Sequence, residues 1–170
     1  MNRRSHARLT FIPLALALAM VVSGTVQAAT VSATYTIRGA EYYATSTQGR
    51  FAGTASGNTG DSATWQATVN HTPLTDTATI TGGSARLATS RLVIVRGAFS
   101  GGDVTLVNRA PGCGTETYAV NGTLEDVTRS DSSAVGTGDF SATLTHYRAS
   151  LFGTCRTISA TVRGTIALDF

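Results

Sequence analysis

Residues 158–170 read ISATVRGTIALDF, and this stretch decides the fold. Every second residue from Ile158 to Phe170 is apolar or Gly, and the residues between them are Ser, Thr, Arg, Ala and Asp. A period of two is typical of a β-strand that buries one face and exposes the other. The sequence therefore predicts a long final strand with its apolar face against a core.

The same alternation recurs along the chain, and no segment after the first thirty residues shows an apolar stripe of helical period. The clearest further cases are residues 31–38, 63–70, 117–124 and 140–146. This pattern predicts an all-β protein of roughly nine or ten short strands.

Turn-forming residues mark the expected connections between strands. The sequence SGGD at 100–103 predicts a hairpin, and residues 48–49, 58–60, 82–83 and 125–133 predict further connections. Residues 71–77 predict a loop. The spacing of these signals fits a sandwich or a barrel.

Glycines within the strand patterns favour a barrel over a sandwich. Gly122, Gly138 and Gly164 fall on the apolar faces, where Gly weakens a flat strand but allows sharp coiling or the approach of an aromatic ring. We therefore predict an antiparallel closed or nearly closed β-barrel, with a two-sheet β-sandwich as the alternative. The expected interior aromatics are Tyr35, Trp65, Phe99, Tyr118 and Phe140.

The first 28 residues have the features of a secretory signal peptide. Arg3, Arg4 and Arg8 precede an apolar run from position 11 to 22, and small residues at Val26 and Ala28 suit a signal peptidase. We expect cleavage after Ala28, an extracellular location and one all-β domain over 29–170. The Lys-free composition, rich in Ala, Gly and Arg, is typical of a GC-rich bacterial source.

Removal of the signal peptide changes the charge balance. Three of the thirteen basic residues lie in it, which leaves ten arginines against ten acidic residues. Nucleic-acid binding rests on neutralising phosphates, so a neutral domain without a basic cluster excludes that partner class. The sequence also lacks a polybasic membrane patch, and we expect no membrane span in the mature chain.

The two cysteines, Cys113 and Cys155, both lie in the mature part and follow strand patterns. Because export exposes them to an oxidising compartment, they predict one disulfide bridge. Closing a loop of about 42 residues should contribute roughly 4 kcal/mol in the chain-entropy model.

Catalytic motifs are absent from the sequence: it contains no GxSxG, HExxH, GxxxxGK or GxGxxG. We expect no cofactor and no metal; Glu125, Asp126 and Asp131 form only a weak Ca²⁺ signal. The weak catalytic candidates are His146, Tyr147 and Arg148, with Glu41 as a further neighbour of an acid–base site at a barrel mouth.

Three functional hypotheses remain open, and the first is preferred. It is a secreted, disulfide-bridged barrel with a non-catalytic extracellular binding or structural role. The second is a small enzyme or carrier for an apolar small molecule near His146, and it resembles allene oxide cyclase and dirigent proteins in strand count and barrel shape, with no shared motif. A cavity above about 300 Å³ would favour it. The third is an outer-membrane barrel, which has the same alternation.

Overall fold

The computed structural model describes residues 31–170. The predicted signal peptide and its cleavage site lie outside the described residues. Within them the chain forms strands and turns, and no helix long and apolar enough to cross a bilayer is found there.

Eight strands pair in sequence order and close on themselves, because β1 pairs with both β2 and β8. All pairings are antiparallel, so the all-β prediction and the closed antiparallel barrel are confirmed. The strands are β1 (Ser32–Ala44), β2 (Gln48–Gly57), β3 (Ser62–His71), β4 (Thr77–Thr89), β5 (Ile94–Arg109), β6 (Glu116–Arg129), β7 (Val135–Leu151) and β8 (Thr154–Asp169).

The strands are fewer and longer than the nine or ten short ones expected, because two glycine pairs lie inside strands. The predicted hairpin at 100–103 is wrong: β5 continues through it, and β4 likewise continues through 82–83. Gly83 (φ 131°) and Gly102 (φ 137°) have backbone angles that other residues rarely adopt, and a Cβ on either would collide with a carbonyl of the adjacent strand. These glycines bend the strands instead of ending them.

The inside of the barrel is filled by apolar side chains. All five predicted interior aromatics are buried. The ring of Phe140 lies 5.7 Å from Phe99 and 6.4 Å from Trp65, centroid to centroid. Phe99 also packs over the bare backbone of Gly122, so an aromatic ring compensates for this glycine as the sequence suggested.

The outer surface of the barrel is polar. Alternating outward positions carry Thr, Ser, Asn, Gln and Arg, as in Thr161, Arg163 and Thr165 of β8, while Val162 and Ile166 on the inward positions are buried. A transmembrane barrel needs an apolar band facing lipid. This distribution is the reverse and argues against the outer-membrane alternative.

The two ends of the barrel differ. One end, here called the hairpin end, carries the loops 45–47, 72–76, 110–115 and 152–153, and β7 and β8 extend beyond the barrel there as a hairpin. At the other end, here called the terminal end, Val31 and Phe170 exchange backbone hydrogen bonds of 3.1 and 3.0 Å. The two cysteines and the catalytic candidates lie at the hairpin end, whereas the residues of the weak Ca²⁺ signal lie at the terminal end.

Two β-bulges shape the hairpin end. In β1, Glu41 faces Phe51 and Tyr43 faces Arg50, so Tyr42 has no opposite residue. In β8, Ser159 faces Tyr147 and Thr157 faces Arg148, so Ile158 has none. An extra residue reverses which side chains point outward beyond it. Each bulge therefore changes the surface of the hairpin end.

Candidate functional site

A disulfide bridge joins Cys113, in the loop between β5 and β6, to Cys155 near the start of β8. Their Cα atoms are 5.2 Å apart, within the usual range. Cys155 lies opposite Ser150, on the same side of the hairpin as Arg148 and His146, because the bulge at Ile158 shifts the register. The predicted bridge is confirmed. The bulge turns the side chain of Cys155 towards Cys113, across the opening of the barrel at the hairpin end (the mouth).

A glutamate–histidine pair lies just inside the mouth at the hairpin end. His146 Nε2 is 2.9 Å from Glu41 Oε2, and their side chains are only 12% and 7% exposed. The ring of Tyr118 packs against the imidazole at a centroid distance of 5.4 Å. Nδ1 of His146 has no hydrogen-bond partner in the described part of the chain. This nitrogen is free to bind a further polar atom.

The pair borders a small cavity with mainly apolar walls. Its volume is about 50 Å³, which holds a few water molecules but is far below the 300–1,000 Å³ of most small-molecule sites. Leu74 of the β3–β4 loop lines the cavity near the mouth and packs against the core. The other walls are formed by Phe51, Val69, Val104, Val120, Phe140, Leu144 and Val162, with His71 and Thr45.

A second polar cluster surrounds the buried Glu116. Its carboxylate accepts hydrogen bonds from Arg109 Nε (2.8 Å), from Tyr118 Oη (3.0 Å) and from Arg148 Nη1. Arg109 also pairs with Asp76 at 2.9 Å. Burial, and then the hydrogen bond to Glu116, raise the pKa of Tyr118. The carboxylate of Glu116 finds all its hydrogen-bond donors within this cluster, which links the hairpin-end segments of β5, β6 and β7.

The three catalytic candidates do not converge on one point. His146 faces the cavity, Tyr147 lies on the outer face of β7, and Arg148 is bound to Glu116. Successive residues of a strand point to opposite faces, which separates Tyr147 from the other two. Glu41 is the residue that does meet His146, as the sequence suggested. Glu116 was missed, because a single acidic residue gives no sequence signal.

Exposed apolar residues lie on the outside of the hairpin end, on β1, β7 and β8. Tyr42 is 63% exposed and Ile158 61% exposed, and both are the unpaired residues of the bulges. Tyr43 and Tyr147 are exposed on the neighbouring strand positions. We call these four residues the aromatic patch. Ile158 was expected on the buried face; the bulge turns it outward, which corrects that expectation.

The turn of the β7–β8 hairpin projects beyond the aromatic patch. Leu151 faces Thr154, and Phe152 and Gly153 form the two-residue turn between them. Phe152 (φ 51°) and Gly153 (φ 78°) both have positive φ, as a type I′ turn requires. Asn and Gly favour this geometry, whereas Phe is strained in it. Phe152 is nevertheless fully exposed at the tip.

The terminal end has a larger groove, with a volume of about 270 Å³. Its charged groups are already paired: Arg91 with Asp61 at 2.9 Å and Arg129 with Asp131 at 2.8 Å. Hydrogen bonding by Arg129 lowers the pKa of Asp131. Asp131, one of the three residues of the weak Ca²⁺ signal, is thus engaged by an arginine, and no carboxylate, histidine or cysteine cluster suited to a metal occurs in residues 31–170.

A comparison of the chain with protein-family models finds no match, nor does a comparison with the curated proteins or with the solved structures, so the function rests on the geometry above.

Proposed function

We propose that this protein is an exported, non-catalytic binding module that acts through the outer surface of its hairpin end. The observation that carries the proposal is the contrast between the inside and the outside of that end. Inside, the cavity measures about 50 Å³, too small for a drug-sized ligand. Outside, a fully exposed Phe152 stands on a strained turn above the aromatic patch.

The energetics of the tip support a binding role. An exposed aromatic residue gains nothing from the hydrophobic effect, and positive φ costs a non-Gly residue of the order of 1–2 kcal/mol. A surface that combines Tyr, Phe and Arg side chains has the composition typical of the centre of a binding interface. The disulfide and the Glu116 cluster hold the strands that carry this surface.

The proposal includes export, which the disulfide bridge supports, since such bonds persist in oxidising compartments. Expression of the full chain in a bacterial host, followed by N-terminal sequencing of protein from the culture fluid, tests this part. We expect a mature N-terminus at Ala29 and no free thiol. A protein retained in the cytoplasm with two reactive thiols would contradict it.

A titration with small apolar molecules, followed by the amide NMR spectrum, tests the claim that the interior is not the binding site. We expect no saturable shift at Phe51, Leu144 or His146, whose side chains line the cavity. Saturable shifts there would replace the proposal with the carrier or enzyme hypothesis.

One observation favours that second candidate, an acid–base site for a very small substrate. The Glu41–His146 pair has the arrangement in which a carboxylate orients an imidazole, and Nδ1 stays free beside an apolar cavity. Replacing His146 with Gln retains a hydrogen-bonding group of similar reach. If the small-molecule shifts above occur and vanish in His146→Gln, the second candidate is supported.

A further inference from the structure

We infer that the ligand of the hairpin end is an anionic lipid surface, an inference that rests on the proposed function and gives its partner class. Three features of this end fit such a surface: its shape, the order of its side chains and its charge.

The shape of the end is convex. The turn at Phe152 and Gly153 is the outermost part of a hairpin that extends past the neighbouring strands, and its apolar residues Leu151 and Phe152 are exposed. A polysaccharide chain is better matched by a groove or flat platform than by a single projecting side chain. A projecting apolar tip can enter the boundary between headgroups and acyl chains, as apolar residues of interfacial segments do.

The side chains are layered along the hairpin. Apolar Leu151 and Phe152 come first, and the tyrosines Tyr42, Tyr43 and Tyr147 follow on the outer faces of β1 and β7. Tyr is enriched at the headgroup level of membranes, where its ring is partly buried and its hydroxyl stays wet. This order, apolar tip and then tyrosines, is the one expected at an interface.

The charge on this side of the barrel is positive. Four arginines on β8, β1 and β2 form no ion pair within the described residues: Arg50 and Arg156 near the hairpin end, and Arg38 and Arg163 midway along the wall. The carboxylates on these strands are Glu41, which faces inward to His146, and Asp169 at the terminal end. The fold thus gathers basic residues that are scattered in the sequence.

Arg50 and Arg156 are the two arginines that a surface in contact with the tip would meet. Arg38 and Arg163 stand opposite each other midway along the wall, as Arg86 and Arg96 do on β4 and β5, so these two opposed pairs are not specific to the hairpin end. Arg50 packs over the ring of Tyr43 at 5.0 Å, which joins the basic residues to the aromatic patch. Anionic headgroups would bind Arg50 and Arg156, at about fivefold in affinity for each arginine near the surface.

The test is co-sedimentation of the exported, disulfide-intact protein with vesicles of phosphatidylglycerol or of phosphatidylcholine. We expect preferential binding to phosphatidylglycerol that weakens as salt is raised. Phe152→Asp should lower the partition coefficient about tenfold, because the tip loses its apolar side chain. Arg156→Gln should lower it about fivefold.

Leu92→Asp is the matched control. Leu92 is also an exposed apolar residue with positive φ (64°) in a hairpin turn, but it lies at the terminal end. Its substitution should leave vesicle binding unchanged. Circular dichroism and a thiol assay on every variant confirm that the barrel and the bridge are intact.

The outcomes separate this inference from the proposed function. Absence of vesicle binding, equal binding to both lipids, or equal loss in the Phe152 and Leu92 variants would each overturn the lipid inference. The proposed function would survive any of these results, because it is judged by the N-terminus of the exported protein and by the unperturbed interior.

Discussion

Glu116 shows how a single side chain organises the hairpin end. Its carboxylate is 11% exposed and accepts hydrogen bonds from two arginines and one tyrosine, on three different strands. Both arginines donate to Oε1 and the tyrosine donates to Oε2, and hydrogen bonds between charged groups are stronger than neutral ones. The residue therefore supports the strands beneath the aromatic patch without being part of it.

Replacing Glu116 with Gln should destabilise the protein by about 1–2 kcal/mol, because Arg109 and Arg148 lose their charged acceptor and both are partly solvated. Urea unfolding monitored by the fluorescence of Trp65 measures this change. Glu125→Gln is the control: Glu125 is exposed and its side chain forms no hydrogen bond in the described residues, so its effect should stay within about 0.5 kcal/mol. Equal effects of the two substitutions would contradict the assigned importance of Glu116.

The hydroxyl of Tyr118 links stability to alkaline pH. Burial raises its pKa in the folded state, and the hydrogen bond to Glu116 raises it further. The unfolded chain then releases this proton near pH 10 while the folded chain still holds it. Stability should therefore be full below about pH 10 and fall as the pH rises above that value.

The Tyr118→Phe variant removes this contribution. Its urea midpoint should fall less steeply than that of the wild type between pH 9 and 11, even if the variant is less stable at pH 7. Tyr35 also has a pKa raised by burial, so some slope should remain. A slope identical to that of the wild type would contradict the assignment.

The sequence predicted some of these residues and could not predict others. Burial of Tyr118 and the inward position of His146 follow from alternation along β6 and β7, which the structure retains. The partnership of His146 with Glu41 joins residues 105 positions apart, so it depends on the closure of β1 against β8. Glu116 gave no signal, because its partners come from three strands.

At the scale of elements, the bulges determine the outer surface of the hairpin end. Without the bulge at Ile158, alternation would place Cys155 on the outer face and leave Cys113 without a partner across the mouth. The alternating pattern does not reveal a single inserted residue, so the prediction from sequence placed the side chain of Ile158 on the wrong face. The adjacent Tyr42 and Tyr43 did break the period of two, and this was the one local signal of a bulge in β1.

Replacing Phe152 in the turn should change stability and binding in opposite directions. Asn tolerates positive φ better than Phe, so Phe152→Asn should stabilise the protein by about 0.5–1 kcal/mol. The same variant should lose vesicle binding, since the apolar tip is gone. Thermal unfolding and co-sedimentation of one preparation measure both effects. A variant that is less stable, or that binds as well as the wild type, would contradict the interpretation of Phe152 as a functional residue.

Removing the disulfide should lower the stability of the protein and loosen the β7–β8 hairpin locally. In the double variant Cys113→Ser and Cys155→Ser, the loop of 42 residues is no longer closed, and the free energy of unfolding should fall by about 4 kcal/mol. The closed barrel should persist, because every strand keeps both neighbours. Amide exchange should rise in residues 110–115 and 150–156 more than in β3 or β4. Uniform exchange throughout the barrel would contradict this local effect.

At the scale of the whole molecule, residues 31–170 form a closed barrel with an apolar, aromatic-filled interior and a polar exterior. The sequence predicted the fold class, the closure and the interior aromatics, because these depend on alternation and on glycine in curved strands. It overestimated the number of strands because glycine pairs mark bends as well as turns. It showed no basic residues at the hairpin end, because Arg50 and Arg156 are far apart in the sequence and reach the same end only in the folded barrel.

Closure also explains why binding is assigned to one end. Within the closed part of the barrel every strand is paired on both sides, so free edges for strand pairing are confined to the projecting part of the β7–β8 hairpin. The interior leaves about 50 Å³ beside His146. What remains is the surface of the two ends and the polar wall. Of these, the hairpin end combines exposed apolar residues with uncompensated arginines.

The most direct test of this account is photo-crosslinking in the cells that export the protein. A photoreactive phenylalanine analogue is placed in turn at position 152 on the tip, at position 74 beside the inner cavity and at position 92 at the terminal end. The account predicts efficient adducts from position 152 and background levels from positions 74 and 92. Strong adducts from position 74 with none from position 152 would show that the ligand enters the barrel and would contradict it.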